Sequence, residues 1–111
     1  QEKSIFGVVG TPKSAEEVGI ASYYADHFRG RKTASGQAYQ PESLTAAHRS
    51  LPFGTTLLVT NLKNGSKVTV TVNDRGPFSR NRVIDLSKSA ALKIGMLSSG
   101  LARVSVQIVS R

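Results

Sequence analysis

The run Val68-Thr69-Val70-Thr71-Val72-Asn73 constrains this chain more than any other part of it. Strict apolar-polar alternation has a period of two, so the valines share one face of a β-strand and the threonines the other. Leu57-Leu58-Val59-Thr60-Asn61 lies just upstream and is also rich in β-branched residues. Between the two runs, Lys63-Asn64-Gly65-Ser66 carries the Asn-Gly signal of a hairpin turn. The pair therefore predicts a β-hairpin with its valine face turned inward, as in a sheet closed around a core.

The remaining segments extend that sheet. Gly19-Ile20-Ala21-Ser22-Tyr23-Tyr24 is a short β-type run, and Asp26 to Ser35 is polar, basic and broken by glycine, as a surface loop is. Beyond the turn-forming Arg75-Gly76-Pro77-Phe78 comes the short strand Arg82-Val83-Ile84-Asp85-Leu86. Ser87 then caps a helix through Leu92 or Lys93, and Gly95 stops it. Ala102 to Val109 alternates Val104, Val106 and Ile108 with polar neighbours as a closing strand. Five or six short strands and one small helix in about 90 residues predict an all-β fold, a compact barrel.

Residues 1–18 mix Gly, Pro, Ser and Lys-Glu pairs without periodicity and read as an N-terminal arm or linker, leaving 19–111 as the folded domain. A chain of 111 residues, 39% hydrophobic and 20% charged, matches one ordinary globular domain. No stretch approaches the roughly 20 apolar residues that cross a bilayer, and Gln1 opens without an initiator Met or a secretory apolar core, as expected of a mature or excised chain. The absence of cysteine excludes disulfides, thiolate metal sites and a thiol nucleophile. Fifteen Lys and Arg against seven acidic residues give a net charge of +8 and point to an anionic partner. The basic residues are scattered, without the aromatic-interleaved stretch that tracks a phosphate backbone, so an anionic cell-wall polymer fits as well as nucleic acid does.

Three side chains stand out as candidates for chemistry. Asp74 ends the longest strand just before a sharp turn, where a carboxylate either projects from a rigid rim as an acid/base group or only bonds the turn amides. Asp85 interrupts an otherwise apolar strand, so it needs a partner such as Arg82 or Arg75; a structural ion pair and a second catalytic carboxylate are both open. His48, one of two histidines, suits proton transfer or an oriented hydrogen bond, while a lone imidazole is a poor metal signal. His27 lies in the basic loop and reads as exposed, and no phosphate loop, zincin motif or nucleophile elbow is present.

Taken in order, Gly19-Ile20-Ala21-Ser22-Tyr23-Tyr24, Gly30-Arg31-Lys32-Thr33-Ala34-Ser35-Gly36, Leu44 to Thr55, Val59-Thr60-Asn61-Leu62, Asn73-Asp74-Arg75-Gly76-Pro77-Phe78 and Arg82 to Ser87 resemble the RlpA-like (rare lipoprotein A) proteins over roughly Gly19 to Val109. The resemblance implies a six-stranded double-psi β-barrel with one or two short helices, similar to the barrels of expansins and small endoglucanases. It implies a septal lytic transglycosylase that cleaves peptidoglycan glycan strands lacking stem peptides. Such proteins work in the periplasm or cell envelope, often from an outer-membrane lipid anchor. No metal or organic cofactor is implied, nor a nucleic-acid partner; a monomer is expected, with divisome association possible for a full-length protein.

The family's catalytic Asp falls on Asp74 and its His on His48, and the resemblance carries both to one groove. A family Glu falls on Gln37 of Ser35-Gly36-Gln37, where this chain departs from the pattern. Glutamine does not titrate, so either Asp74 suffices, activity is weak, or the residue traps an inactive form. Asp85 matches the second aspartate of the expansin-like site, and Tyr24, Ser35 and Arg75 are implied to bind substrate. The alternative function in the same fold is a non-catalytic, expansin-like module that binds glycan or loosens wall.

Overall fold

The computed structural model describes residues 16–110, so the expected arm lies outside the described residues up to position 15. Six strands, β1 (Glu17–Tyr23), β2 (Thr45–Ala47), β3 (Thr56–Asn61), β4 (Lys67–Asp74), β5 (Arg82–Leu86) and β6 (Ala102–Ser110), are joined by one helix, α1 (Lys88–Lys93), and a 3-10 turn at Asp26–Phe28. They close into a barrel in the order β1-β5-β2-β4-β3-β6. The β1–β5 and β2–β4 pairs are parallel and the other four are antiparallel. This is the all-β, six-stranded barrel that the strand pattern and the family resemblance imply.

The alternation along β4 does what its period requires. Val68, Val70 and Val72 are buried while Thr69 and Thr71 are exposed. Facing them are Leu57 and Val59 of β3, Ile84 and Leu86 of β5, and Val104 and Val106 of β6, with Ala90, Ala91, Ile94 and Met96 of the α1 region joining the same core. Burying each Val, Leu or Ile side chain contributes about 1.5–3 kcal/mol.

The β3–β4 connection is wider than a two-residue turn because its side chains take on a second task. Asn64 Oδ1 accepts from Ser66 N at 2.8 Å, which shapes the turn, while Asn61 Nδ2 and Asn64 Nδ2 both donate to the carbonyl of Ile94 at 2.7 and 3.2 Å. The hairpin thereby satisfies a carbonyl at the end of α1 that the helix itself leaves open. At the other end, Ser87 Oγ accepts from Ala90 N at 3.3 Å, the cap that its position predicts.

Two boundaries differ from the sequence reading. Glu17 and Val18, read as part of the arm, pair with Val106 and Ser105 of β6 and open β1. Thr45–Ala47 forms a strand although three residues are too few to show alternation. Those three residues hold the centre of the site-bearing wall, pairing with β4 on one side and β5 on the other.

Where β1 and β5 run parallel, Gly19 is the residue that permits close packing. A Cβ at this position would sit inside van der Waals distance of Val83 Cγ1, and the β-branched valine has little rotamer freedom to move aside. We expect Gly19→Ala to lower the unfolding free energy by about 1–3 kcal/mol in urea titrations. If Val83 is the obstruction, the double variant Gly19→Ala/Val83→Ala loses less than the sum of the two single changes; additive losses would point elsewhere.

Candidate active site

The described residues converge on the C-terminal end of β4, where three donors hold the Asp74 carboxylate. Oδ1 accepts from the amides of Ala34 at 2.8 Å and Arg75 at 2.9 Å, and Oδ2 accepts from the Tyr24 hydroxyl. The two amides occupy Oδ1, so Oδ2 is the oxygen that can carry a proton. A tyrosine hydroxyl suits both states, donating to the carboxylate and accepting from the acid. Burial, the hydrogen bond to Asp74 and the charges of Asp74 and Asp85 push Tyr24 far above the ordinary tyrosine range, so its own proton stays in place.

The loop that supplies Ala34 is a braced structure. Lys32 and Ala38 bridge its base, Thr33 N and Oγ1 donate to the Gln37 carbonyl at 2.8 and 2.7 Å, and Ser35 N donates to the Asn73 carbonyl at 3.2 Å. Ser35 Oγ lies 3.0 Å from Thr33 Oγ1 and accepts from Gln37 N at 3.3 Å, while Gln37 Oε1 accepts from Asn73 Nδ2 at 3.1 Å. Ser35 and Gln37 thus tie the loop to β4 beside Asp74 rather than standing among the residues that line the cleft in front of it. On the far side the chain turns at Gly76, whose φ of 130° lies in the region that favours glycine.

That cleft has a volume of about 260 Å³ and an aromatic floor. Tyr24 stacks on Tyr39 with ring centroids 4.4 Å apart and meets Phe28 edge-on at 5.9 Å. Tyr39 is buried, and its hydroxyl accepts from the Lys88 amide at 3.0 Å, which ties the floor to the start of α1. Burial pushes the Tyr39 phenol up as well. Arg31 lies over Phe28 at 4.9 Å, and Arg75 lies over Phe53 at 4.2 Å while donating to the His48 carbonyl at 3.2 Å. Phe78, at the other limit of the cleft, is 91% exposed.

His48 and Asp85 sit elsewhere. The expectation that His48 and Asp74 both line one groove is corrected: their backbones pair, His48 N donating to the Asp74 carbonyl at 3.1 Å, but the imidazole is only 3% exposed. Its Nδ1 accepts from the Ser50 and Leu51 amides at 3.1 and 3.2 Å, and its Nε2 lies 3.2 Å from Glu17 Oε1. Burial and the demands of the turn amides thus make His48 a group that fixes β4, β1 and the 50–51 turn together. Asp85 accepts from Ser22 Oγ and from Arg82 Nε at 3.2 Å, the ion-pair outcome, and Arg75 is not its partner. Among the residues that line the cleft Asp74 is the sole carboxylate. Among the described residues no three His, Cys, Asp or Glu side chains gather as a metal would require.

Sequence reasoning did not single out Phe28, Arg31, Tyr39 or Phe78, which complete the cleft. The usable signal was a set of aromatic residues in and around a basic, glycine-broken loop, a composition that suits stacking against a sugar ring.

Comparison with known proteins agrees with this geometry. A double-psi barrel family model, described as "Lytic transglycolase", matches residues 16–106. A Nostoc sp. protein, "Probable endolytic peptidoglycan transglycosylase RlpA", is 57% identical over 84% of this chain and 26% of its own length. "Endolytic peptidoglycan transglycosylase RlpA" of Campylobacter jejuni is 52% identical over 92% of this chain and 36% of its own. The chain therefore spans about a quarter to a third of these relatives. Among solved structures, the Streptomyces papain inhibitor aligns with a TM-score of 0.70 at 25% identity, covering 88% of this chain and 97% of that one. The apo expansin of Clavibacter michiganensis aligns with a TM-score of 0.66 at 25% identity, covering 85% and 50%.

The shielding of Tyr24 has a titration consequence. In the folded protein at about pH 11, past the ordinary tyrosine pKa, Tyr24→Phe should leave phenolate absorbance unchanged. In denaturant the same substitution, removing one of three tyrosines, should lower it by about a third. Because the fold favours neutral Tyr24, its contribution to stability is full below about pH 10 and declines as pH rises toward the folded pKa. A drop in folded-state absorbance in the variant would show that Tyr24 ionises normally.

Proposed function

The chain belongs to the RlpA-like family of double-psi β-barrel lytic transglycosylases, and from that premise we propose that its cleft cleaves the glycan strand of peptidoglycan after N-acetylmuramic acid, leaving anhydro ends. The observation that carries this reading is the single carboxylate on an aromatic, cationic cleft, with one oxygen pinned by amides and the other bonded to a tyrosine hydroxyl. Hydrolysis by inversion or retention ordinarily needs two carboxyl groups facing each other. Intramolecular transfer needs one.

In the forward step protonated Asp74 donates from Oδ2 to the glycosidic oxygen as the bond to C1 of the muramic acid breaks. The sugar's own O6 then bonds to C1 and yields its proton to the same carboxylate, so Asp74 is restored and no water is consumed. Tyr24 holds Oδ2 in place through both states, and the carboxylate stands against the positive charge that develops on the ring. Tyr39 and Phe28 offer the stacking floor and Arg75 a polar edge. His48 acts as a positioning residue, since its ring, held by the Ser50 and Leu51 amides and by Glu17, fixes the backbone that pairs with the Asp74 carbonyl. Gln37 braces the strand from the other side through Asn73. Such a substrate places the reaction in the bacterial cell envelope, with strands lacking stem peptides and the division septum as its setting.

A second reading, binding without turnover, is favoured by one observation. At position 37, where the resemblance implies a Glu, the chain carries Gln, which bonds Asn73 and does not titrate. The two readings separate at Asp74. Replacing it with Asn keeps volume and removes the transferable proton, so anhydro-ended product from purified glycan should fall by about three orders of magnitude or more while glycan binding and thermal stability persist. Full product formation by Asp74→Asn ends the proposed mechanism, and a parent protein that binds but forms no anhydro ends belongs to the second reading.

A further inference from the structure

The turn that carries Phe28 into the cleft floor is not held by the core. Asp26–Phe28 contains no buried residue, and its bonds are internal, Phe28 N donating to the Ala25 carbonyl and Arg29 N to the Asp26 carbonyl, both at 3.1 Å. The backbone is anchored on either side, where Tyr24 N donates to the Leu86 carbonyl at 3.1 Å and Gly30 N to the Tyr39 carbonyl at 2.8 Å. Behind the turn lies a hollow of about 520 Å³, with Asp26 and Arg29 facing Glu42 and the α1 residues Lys88, Ser89 and Leu92. The α1 wall is one piece with the 41–42 segment, since Ser89 N donates to the Pro41 carbonyl at 2.9 Å. Two ion pairs run from that wall to the turn. Lys88 Nζ meets both carboxylate oxygens of Asp26 at 3.1 and 3.2 Å, and the two terminal nitrogens of Arg29 meet the two oxygens of Glu42 at 3.1 and 2.6 Å. The bond from Arg29 also holds the Glu42 carboxyl below the usual carboxylate range.

All four side chains are exposed, and such pairs contribute little to global stability. Their effect on position is another matter, because the turn has no buried side chain of its own to fix it over the hollow. Phe28 meets the edge of Tyr24, the residue that donates to Asp74. Lys88 reaches the other face of the same ring as well, since its amide donates to the hydroxyl of Tyr39, which stacks on Tyr24. We infer that Lys88 and Glu42 are positioning residues of the cleft, which hold the turn off the hollow through Asp26 and Arg29 and so set Phe28 against Tyr24 as a stacking surface for a sugar ring. The inference rests on the glycan-cleaving reading above and deepens it. Without the two pairs the turn settles toward the hollow, Phe28 withdraws from Tyr24, and the floor loses the edge that a sugar would lie against.

Charge reversal is the test, because positioning and simple attraction for an anionic glycan predict opposite signs. Asp26→Lys and Glu42→Lys each add positive charge while setting like charges face to face across the hollow. Both should raise KM for purified glycan about fivefold and leave kcat within about twofold, with the melting temperature lowered by no more than about 3 °C. NMR cross-peaks between the Phe28 and Tyr24 rings should weaken in the same variants. The exchanged pair Asp26→Lys/Lys88→Asp should restore both the ring contact and KM. A ring contact that survives both reversals, a KM that falls with the added charge, or an exchange that restores neither overturns the inference. If the parent protein forms no anhydro product, glycan affinity measured by calorimetry in the Asp74→Asn background replaces KM, so the lytic reading can fail while this one stands. A ring contact that responds while KM and affinity do not does the reverse, removing the role assigned to Lys88 and Glu42 and leaving the lytic reading untouched.

Discussion

The hydrogen bonds around Asp74 join parts of the chain that have no other reason to meet. Tyr24 comes from the exit of β1, Ala34 from the braced loop, and Arg75 from the turn after β4, and each places one donor on the same carboxylate. None of the three is free to drift, since Tyr24 is stacked on Tyr39, Ala34 sits in a loop closed by Thr33 and Gln37, and Arg75 is held by the His48 carbonyl. The carboxylate is fixed because its donors are fixed. This depends in turn on β4, which pairs with β3 as far as Thr71 and with β2 as far as Asp74, the β2 register shifting between Val72 and Asp74.

The electrostatic design separates orientation from neutralisation. Arginines around the site are aimed by backbone carbonyls and by the rings of Phe28 and Phe53, neither of which removes a unit of charge. Acidic side chains away from the cleft are instead paired with cations, as Asp85 with Arg82, Asp26 with Lys88 and Glu42 with Arg29. The guanidinium charges of Arg31 and Arg75 therefore stay uncancelled in the lining of the cleft.

Much of the fold was legible because period-two alternation is a local signal. The runs that became β4 and β6 carry it in their own side chains, those of β3 and β5 stand out as short apolar, β-branched runs, and Ser87 and Gly95 mark the helix by local chemistry. Thr45–Ala47 was not legible as a strand, since its two pairings come from partners more than 25 positions away. The site divided the same way. Asp74 stood out at a strand end, but that position suits a turn-bonding carboxylate equally and the family resemblance supplied its role, while the need of Asp85 for an arginine followed from its apolar neighbours. His48 could not be placed, because a ring that accepts two amides and meets Glu17 looks, in sequence, like one poised over a substrate. Tyr39 and Phe28 gained their meaning only when the loop folded back against Tyr24.

The closing strand has a consequence for how the molecule comes into being. β6 pairs with β1 on one side and β3 on the other, so the last strand of the chain is the one that completes the ring. A polypeptide delivered N-terminus first, whether from a ribosome or through a membrane pore, holds β1 and β3 as open edges until Ala102–Ser110 arrives. Most of the barrel's pairings are distant in sequence, which slows closure further. During that interval the valine face of β4 and two unpaired backbones are open to other chains.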